Sequence, residues 1–158
     1  MFFKPRQEMR EIEFERELCI LSRIYEAGLT TKLRVPKLEG LVISADEEIV
    51  GLLMTMITSS ALGTHVQSPG LQEMTHLHQK WEQQLAATIQ ELHLHGIVWG
   101  DVHPMNVVID EAMDAWAVDF GGTNNAEFID AENRETVEGD WQGMRKIFQE
   151  WLPNPQRL

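Results

Sequence analysis

"GIVWGDVHPMNVVID" (Gly96–Asp110) is the stretch on which the reading of this chain turns. A glycine interrupts an apolar run, Asp101 follows, and Asn106 closes a D-x-x-x-x-N spacing at the mouth of a Val-Val-Ile strand. Polar side chains at the edge of an apolar strand are costly to bury without partners. The pair is therefore either a hydrogen-bonded corner or part of a site that meets a metal or a reacting group. Asp119 stands further on, and between it and Asn106 lies "VVIDEAMDAWAV", two short apolar strands around a polar turn. A hairpin brings its ends together, which predicts that Asn106 and Asp119 are neighbours. Oxygen donors at one end of a hairpin suit Mg²⁺, which takes one or two carboxylates and completes its shell with phosphate and water. Asp101, one short loop away, is placed to orient a hydroxyl or accept its proton.

The flanks supply the scaffold. Trp81, Leu85, Ile89 and Leu92 recur at helical spacing and predict a helix from about Leu71 to His95, capped at Gly96. The preceding "SSALGTHVQSPG" reads as loop. "LEGLVISADEEIVGLLMTMI" reads as two strands around Ala45-Asp46-Glu47, the second apolar throughout and hence central. A helix is expected over Arg6–Ala27, with Phe14, Leu18, Leu21 and Tyr25 as its apolar stripe, widened by Ile20 and Ile24, and Gly28 as its stop. Glu8, Glu11, Glu13, Glu15 and Glu17 mostly read as its solvated face. "MFFK", ended by Pro5, reads as a strand. Beyond the hairpin, Thr123 to Gly139 is polar and irregular, and a last helix runs from about Asp140 to Trp151. Strand, helix, hairpin, helix, hairpin, loop, helix is an α+β order.

Composition sets bounds on function. A chain of 158 residues with 43% hydrophobic residues fits one domain, or one compact unit of a larger one, with a real core. The formal net charge of −12 repels phosphate backbones and anionic lipid, arguing against nucleic acid and membrane as partners. A nucleotide remains compatible if metal ions and local donors offset that charge. Cys19, the only cysteine, sits among Leu18, Ile20 and Leu21 and reads as a buried thiol. No apolar run reaches the length of a membrane span, and the start lacks a signal-peptide core, so a soluble, cytoplasmic protein is expected.

Several of these motifs, in this order, resemble the protein-kinase-like superfamily. Its catalytic loop reads H-R-D-x-x-x-x-N and its metal loop D-F-G; this chain has "WGDVHPMN" and, after the hairpin, "DFG". The resemblance implies that Asp101 is the catalytic Asp and that Asn106 and Asp119 hold Mg²⁺. "FERELCILSRI" resembles the family's C-helix, which implies that Glu17 pairs with Lys4 of "FFK", the lysine that steadies the ATP phosphates. "GLLMTMI" resembles the segment joining the lobes, with Met54 as gatekeeper and the backbone of Thr55, Met56 and Ile57 facing adenine. "EGDWQGM" resembles the family's D-x-W-S-x-G helix start, with Asp140 bracing the catalytic loop; Asp140 reads equally as a helix N-cap. "AGL", "RVPKLEGL", "GIVWGD", "AWAVDFGG" and "VEGDWQG" together look most like kinase-like domains of filamentous fungi. The implied architecture is one incomplete kinase-like domain: residues 1–57 a partial N-lobe and hinge, 58–152 a partial C-lobe, 153–158 a tail.

The chain departs from that pattern in ways that bear on chemistry. The Gly-rich loop and the strands that precede the lysine strand are missing, as are the helices that complete a C-lobe beyond Asp140. A site without the Gly-rich loop lacks backbone donors to the phosphates and stays wet, which weakens catalysis more than binding. Absent outer strands would bare the "MFF" edge to a covering partner. Trp99 and Gly100 replace His and Arg, removing the Arg that reads a phosphorylated activation loop. His103 stands where serine/threonine kinases have Lys; "GDVHPMN" is in this respect similar to the "GDLHPGN" of aminoglycoside and choline phosphotransferases, and His103 is a donor to a transferring phosphoryl group. No A-P-E motif follows.

The expected function is transfer of the ATP γ-phosphoryl to a hydroxyl, of protein serine/threonine or of a small molecule. The alternative is a catalytically inactive kinase-like module, or a fragment of a longer kinase. Other residues have plainer readings. His93 and His95, two apart on a helix, point apart, and His76 and His78 do likewise, so neither pair reads as a metal site. Trp81, Trp99, Trp116 and Trp141 read as core. Asp110 and Asp114 bound a turn.

Overall fold

The computed structural model describes residues 1–122 and 125–153; Thr123 and Asn124 of the polar segment and most of the 153–158 tail lie outside the described residues. Its architecture is mixed α+β. An antiparallel sheet has the order β1-β3-β2, with β1 at Phe2–Pro5, β2 at Leu38–Ile43 and β3 at Ile49–Met54. The central place of β3 follows from its apolar run, and Leu52 and Met54 enter the core. Lys4 lies opposite Leu52 and Phe2 opposite Met54, which fixes where the lysine stands along the sheet. Phe2 and Phe3 are both about half exposed.

Helix α1 spans Glu11–Glu26, starting later than its charge pattern suggests. Residues after Pro5 first prolong the ladder, Arg6 N–H donating to Val50 O, and then turn through Arg10 N–H to Gln7 O. The buried face of α1 is Phe14, Glu17, Ile20, Leu21 and Ile24. This corrects the expected stripe. Tyr25 is 59% exposed and Cys19 is exposed, while Glu17 is buried. The helix is rolled so that Glu17 meets Lys4 beneath the sheet, and the thiol is carried to the outside.

Helix α3 covers Thr75–Leu94 and buries Trp81, Leu85, Ile89 and Leu92, as their spacing predicts. It begins after Leu71, because Pro69–Gln72 forms a separate turn, α2, and the backbone breaks at Met74 (φ −79°, ψ 53°). Gly96 ends α3 in the left-handed region (φ 65°), with Gly96 N–H donating to His93 O and Ile97 N–H to Leu92 O. The same cap closes α1 at Gly28, where Gly28 N–H donates to Tyr25 O and Leu29 N–H to Ile24 O.

The predicted hairpin is present, with β4 at Val107–Ile109 paired to β5 at Ala115–Ala117. A stretch that reads as loop joins it: Ile109 N–H donates to Thr64 O and Val66 N–H to Val107 O, so residues 64–66 lie alongside β4. Helix α4 runs over Val137–Arg145 and continues as a wider π-type turn through Lys146–Trp151. Its N-cap is Thr136, whose Oγ1 accepts from Gly139 N–H; Asp140 is not the cap. Trp99, Phe120, Ile97 and Val102 sit in the same continuous core as α3, so the loops of interest rest on a packed floor. Among the described residues, no helix is long and apolar enough to cross a membrane.

Candidate functional site

The site is assembled from β1, α1, β3, the Gly96–Asn106 loop and the β4–β5 hairpin. Lys4 reaches down from β1 with Nζ 2.5 Å from Glu17 Oε2 of α1 and 3.0 Å from Asp119 Oδ1 after β5. Burial disfavours the charge on Lys4, but the two carboxylates outweigh it and hold its pKa above the ordinary 10.5. Burial pushes the Glu17 carboxyl up, against the pull of Lys4. Asp119 sits in the left-handed region (φ 58°), uncommon for a residue with a side chain, and Gly121 N–H donates to its Oδ1 at 3.3 Å. The hairpin does what its pattern predicts: Val118 N–H donates to Asn106 O, which brings Asn106 beside Asp119.

Asn106 is buried, and its Nδ2 donates to both Asp101 O (2.9 Å) and Asp101 Oδ2 (3.0 Å). With the nitrogen held there, Oδ1 is the atom turned away from Asp101. A cleft of about 540 Å³ opens between the sheet and the hairpin. That size is ordinary for a small-molecule site. Lys4, Glu17, Asn106 and Asp119 bring charged and polar groups to its lining, and Met54, Thr55, Met56 and Ile57 line it where β3 leaves the sheet. Val108, Val118 and Met105 give an apolar floor. The Thr55 N–H donates to Lys37 O, so the backbone of Thr55 offers a ligand its carbonyl and not its amide.

Asp101 and His103 do not line this cleft. Asp101 is 1% exposed, lying behind Asn106 and His103. His103 Nε2 is 3.5 Å from Asp101 Oδ2, and its Nδ1 accepts from Met105 N–H at 3.3 Å. His103 is not among the residues lining the cleft, and its Nδ1 is taken up by the Met105 N–H. The cause is local: the Pro104–Asn106 3₁₀ turn folds the imidazole back over the loop that carries it.

Asp140 is fully buried and accepts from Trp99 N–H (Oδ2, 2.9 Å) and Gly100 N–H (Oδ1, 2.7 Å), the residues just before Asp101. His93 Nε2 lies 2.8 Å from Asp140 Oδ2 and donates to it, since a carboxylate only accepts. His93 was not among the candidate site residues; being two residues from His95 on a helix says nothing about a partner in α4. His65 was missed as well. It pairs with Val108 across an isolated bridge and lines the cleft, and burial, with His103 nearby, lowers its pKa. Its place inside a loop-like stretch hid it.

Among the described residues, no group of three or more His, Cys, Asp or Glu is arranged to hold a metal ion. Asn106 Oδ1 and the Asp119 carboxylate are hard oxygen donors and fit a divalent cation that draws its remaining ligands from phosphate and water. No family model matches the sequence, and no curated protein matches it at a significant level.

Proposed function

We propose that the cleft binds ATP with Mg²⁺ and that the chain is a protein-kinase-like phosphotransferase, acting on a hydroxyl of protein serine/threonine. One observation carries the reading: Lys4 Nζ lies between Glu17 and Asp119, drawn from a strand, a helix and a hairpin end, in the wall of a cleft whose remaining lining is mostly apolar. The strand order β1-β3-β2, the pairing of Lys4 with a helical Glu, and the brace from Asp140 to the loop before Asp101 support the kinase-like fold. Glu17 and Asp119 outnumber Lys4, so a triphosphate enters only with a cation beside it. In this reading Asn106 and Asp119 hold Mg²⁺, which supplies charge neutralisation of the phosphate oxygens. Lys4 steadies the phosphates, and the residues from Met54 to Ile57 receive the base.

A second reading has a specific observation in its favour. Asp101 is 1% exposed and lies beside His103, which favours a nucleotide-binding module without turnover. Calorimetry of Mg·ATP binding to the wild type and to Asp119→Asn tests the shared part. The wild type is expected to bind, with loss of the Asp119 charge weakening Mg²⁺-dependent binding at least about tenfold, roughly the 1.4 kcal/mol of one charge-assisted contact. Equal affinity removes Asp119 from the metal role. Phosphoryl transfer or ATP hydrolysis that falls on Asp101→Asn supports the enzyme; no difference from background supports the module.

A further inference from the structure

Arg16, next to Glu17 on α1, has no part in the site described so far. Its guanidinium donates from Nη1 to Trp99 O at 3.1 Å and, in a very short bond, to Phe120 O; from Nη2 it donates to Val98 O at 3.2 Å. Its Nε lies 3.0 Å from Glu135 Oε1, just before the cap of α4. Three of these acceptors are backbone carbonyls in two separate loops. One loop leads into Asp101 and the other leaves Asp119. Two glycines make the berth. A Cβ on Gly100 (φ 86°) would stand 2.4 Å from Arg16 Nη2, and a Cβ on Gly122 (φ 77°) would stand 2.5 Å from Glu135 Oε1 and 2.9 Å from Arg16 Cδ. Both contacts are closer than packed atoms allow, so a side chain at either glycine would make the guanidinium or its carboxylate partner shift from its present place.

We propose that Arg16 is a positioning residue: its guanidinium fixes the Asp101 loop and the Asp119 loop relative to each other, and Glu135 is the strut that holds the guanidinium in place. Arg alone among the side chains has the planar set of donors needed to reach carbonyls in different directions while keeping a carboxylate on Nε. Lys retains the charge and loses that geometry. Arg16 and Glu17 are adjacent, so one turn of α1 sets both the Lys4 ion pair and the spacing of the two loops. The effect on ligand binding rests on the proposed nucleotide site; the mechanical coupling does not.

The test compares the full-length wild type with Arg16→Lys and Glu135→Gln by amide hydrogen exchange and by calorimetry with adenosine and with Mg·ATP. Arg16→Lys is expected to speed exchange about tenfold in both peptides, 98–101 and 119–122, while α3 is unchanged. Mg·ATP affinity is expected to fall about tenfold and adenosine affinity less than twofold, because the base end of the cleft does not touch Arg16. Glu135→Gln should move each readout the same way by a smaller factor, and it keeps the test alive if Arg16→Lys does not fold. Wild-type exchange in both peptides, or faster exchange in only one, overturns the coupling. Equal loss of adenosine and Mg·ATP with faster exchange throughout makes Arg16 a general stabiliser and overturns the positioning role. If the wild type binds no Mg·ATP, the nucleotide reading fails by itself, and the exchange data still decide the coupling.

Discussion

Replacing Asp140 by Asn asks how firmly the loop before Asp101 is held. The carboxylate is fully buried and takes three donors, two on Oδ2 (Trp99 N–H and His93 Nε2) and one on Oδ1 (Gly100 N–H, 2.7 Å). An Asn keeps one acceptor, best placed where two donors converge, and turns its NH₂ toward Gly100 N–H. One charge-assisted hydrogen bond is lost, and a buried N–H is left facing another donor. Together these cost about 3–4 kcal/mol. In a domain of this size that lowers Tm by roughly 10 °C. His93→Phe removes one donor and leaves Asp140 with both backbone amides, so its cost is about 1–2 kcal/mol. Urea titrations followed by tryptophan fluorescence measure both, since Trp99 is buried beside the bond in question. A loss below about 1 kcal/mol for Asp140→Asn, or an equal loss for His93→Phe, would refute the reasoning that the backbone amides are the main clients of this carboxylate.

Two more variants probe the supports of the site. A Cβ on Gly143 of α4 would lie 2.5 Å from Val102 O and 2.6 Å from Val102 Cβ, so Gly143→Ala should cost about 2 kcal/mol net even though Ala favours a helix by about 1 kcal/mol, and an unchanged urea midpoint would count against the tight seating of α4 on the loop. Hydrogen bonds from Lys80 and Gln84, joined by the Arg34 charge and opposed by burial, lower the Asp114 pKa from 3.8 to about 2. A carboxyl depressed in the folded state stabilises above its unfolded pKa and loses that contribution as pH falls through its folded one. With solvent screening the contribution is about 1 kcal/mol, so the stability gap between wild type and Asp114→Asn should shrink from about that value at pH 6 toward nothing near pH 2; a gap that ignores pH excludes the charge as its source.

What was legible in the sequence is what neighbours in the chain determine. The β4–β5 hairpin is a local pairing around a polar turn, and it placed Asn106 beside Asp119. The α3 core positions follow helical period, and Gly28 and Gly96 ended their helices. Which face α1 buries is a different kind of fact. Its apolar residues spread over more than half the helix, and the choice among near-equal faces falls to a distant partner, Lys4 on β1, which draws Glu17 inward and leaves Cys19 and Tyr25 outside. The burial of Asp101 was illegible for a similar reason. Spacing predicts that Asp101 and Asn106 share a corner; it does not say which of them faces the cleft once Pro104 turns His103 back over the loop. The pair is thus divided: Asp101 is buried and accepts from the Asn106 amide, while Asn106 also lines the cleft.

That division puts weight on the segment Val98–Gly100. Irregular backbone inside a core must find partners for every peptide group, and here the two sorts of group go to opposite charges. The carbonyls of Val98 and Trp99 accept from Arg16, while the amides of Trp99 and Gly100 donate to Asp140. A cation suits carbonyl oxygens and a carboxylate suits amide hydrogens, so the segment is held from two sides without joining a strand or helix. Trp99 adds a third hold, burying its ring fully and donating Nε1–H to Val118 O, one residue before Asp119. The indole therefore also ties the approach to Asp101 to the approach to Asp119. On this geometry a tryptophan in place of a smaller residue at position 99 is not an incidental core choice, because the bond it makes needs an N–H at the far edge of a wide ring.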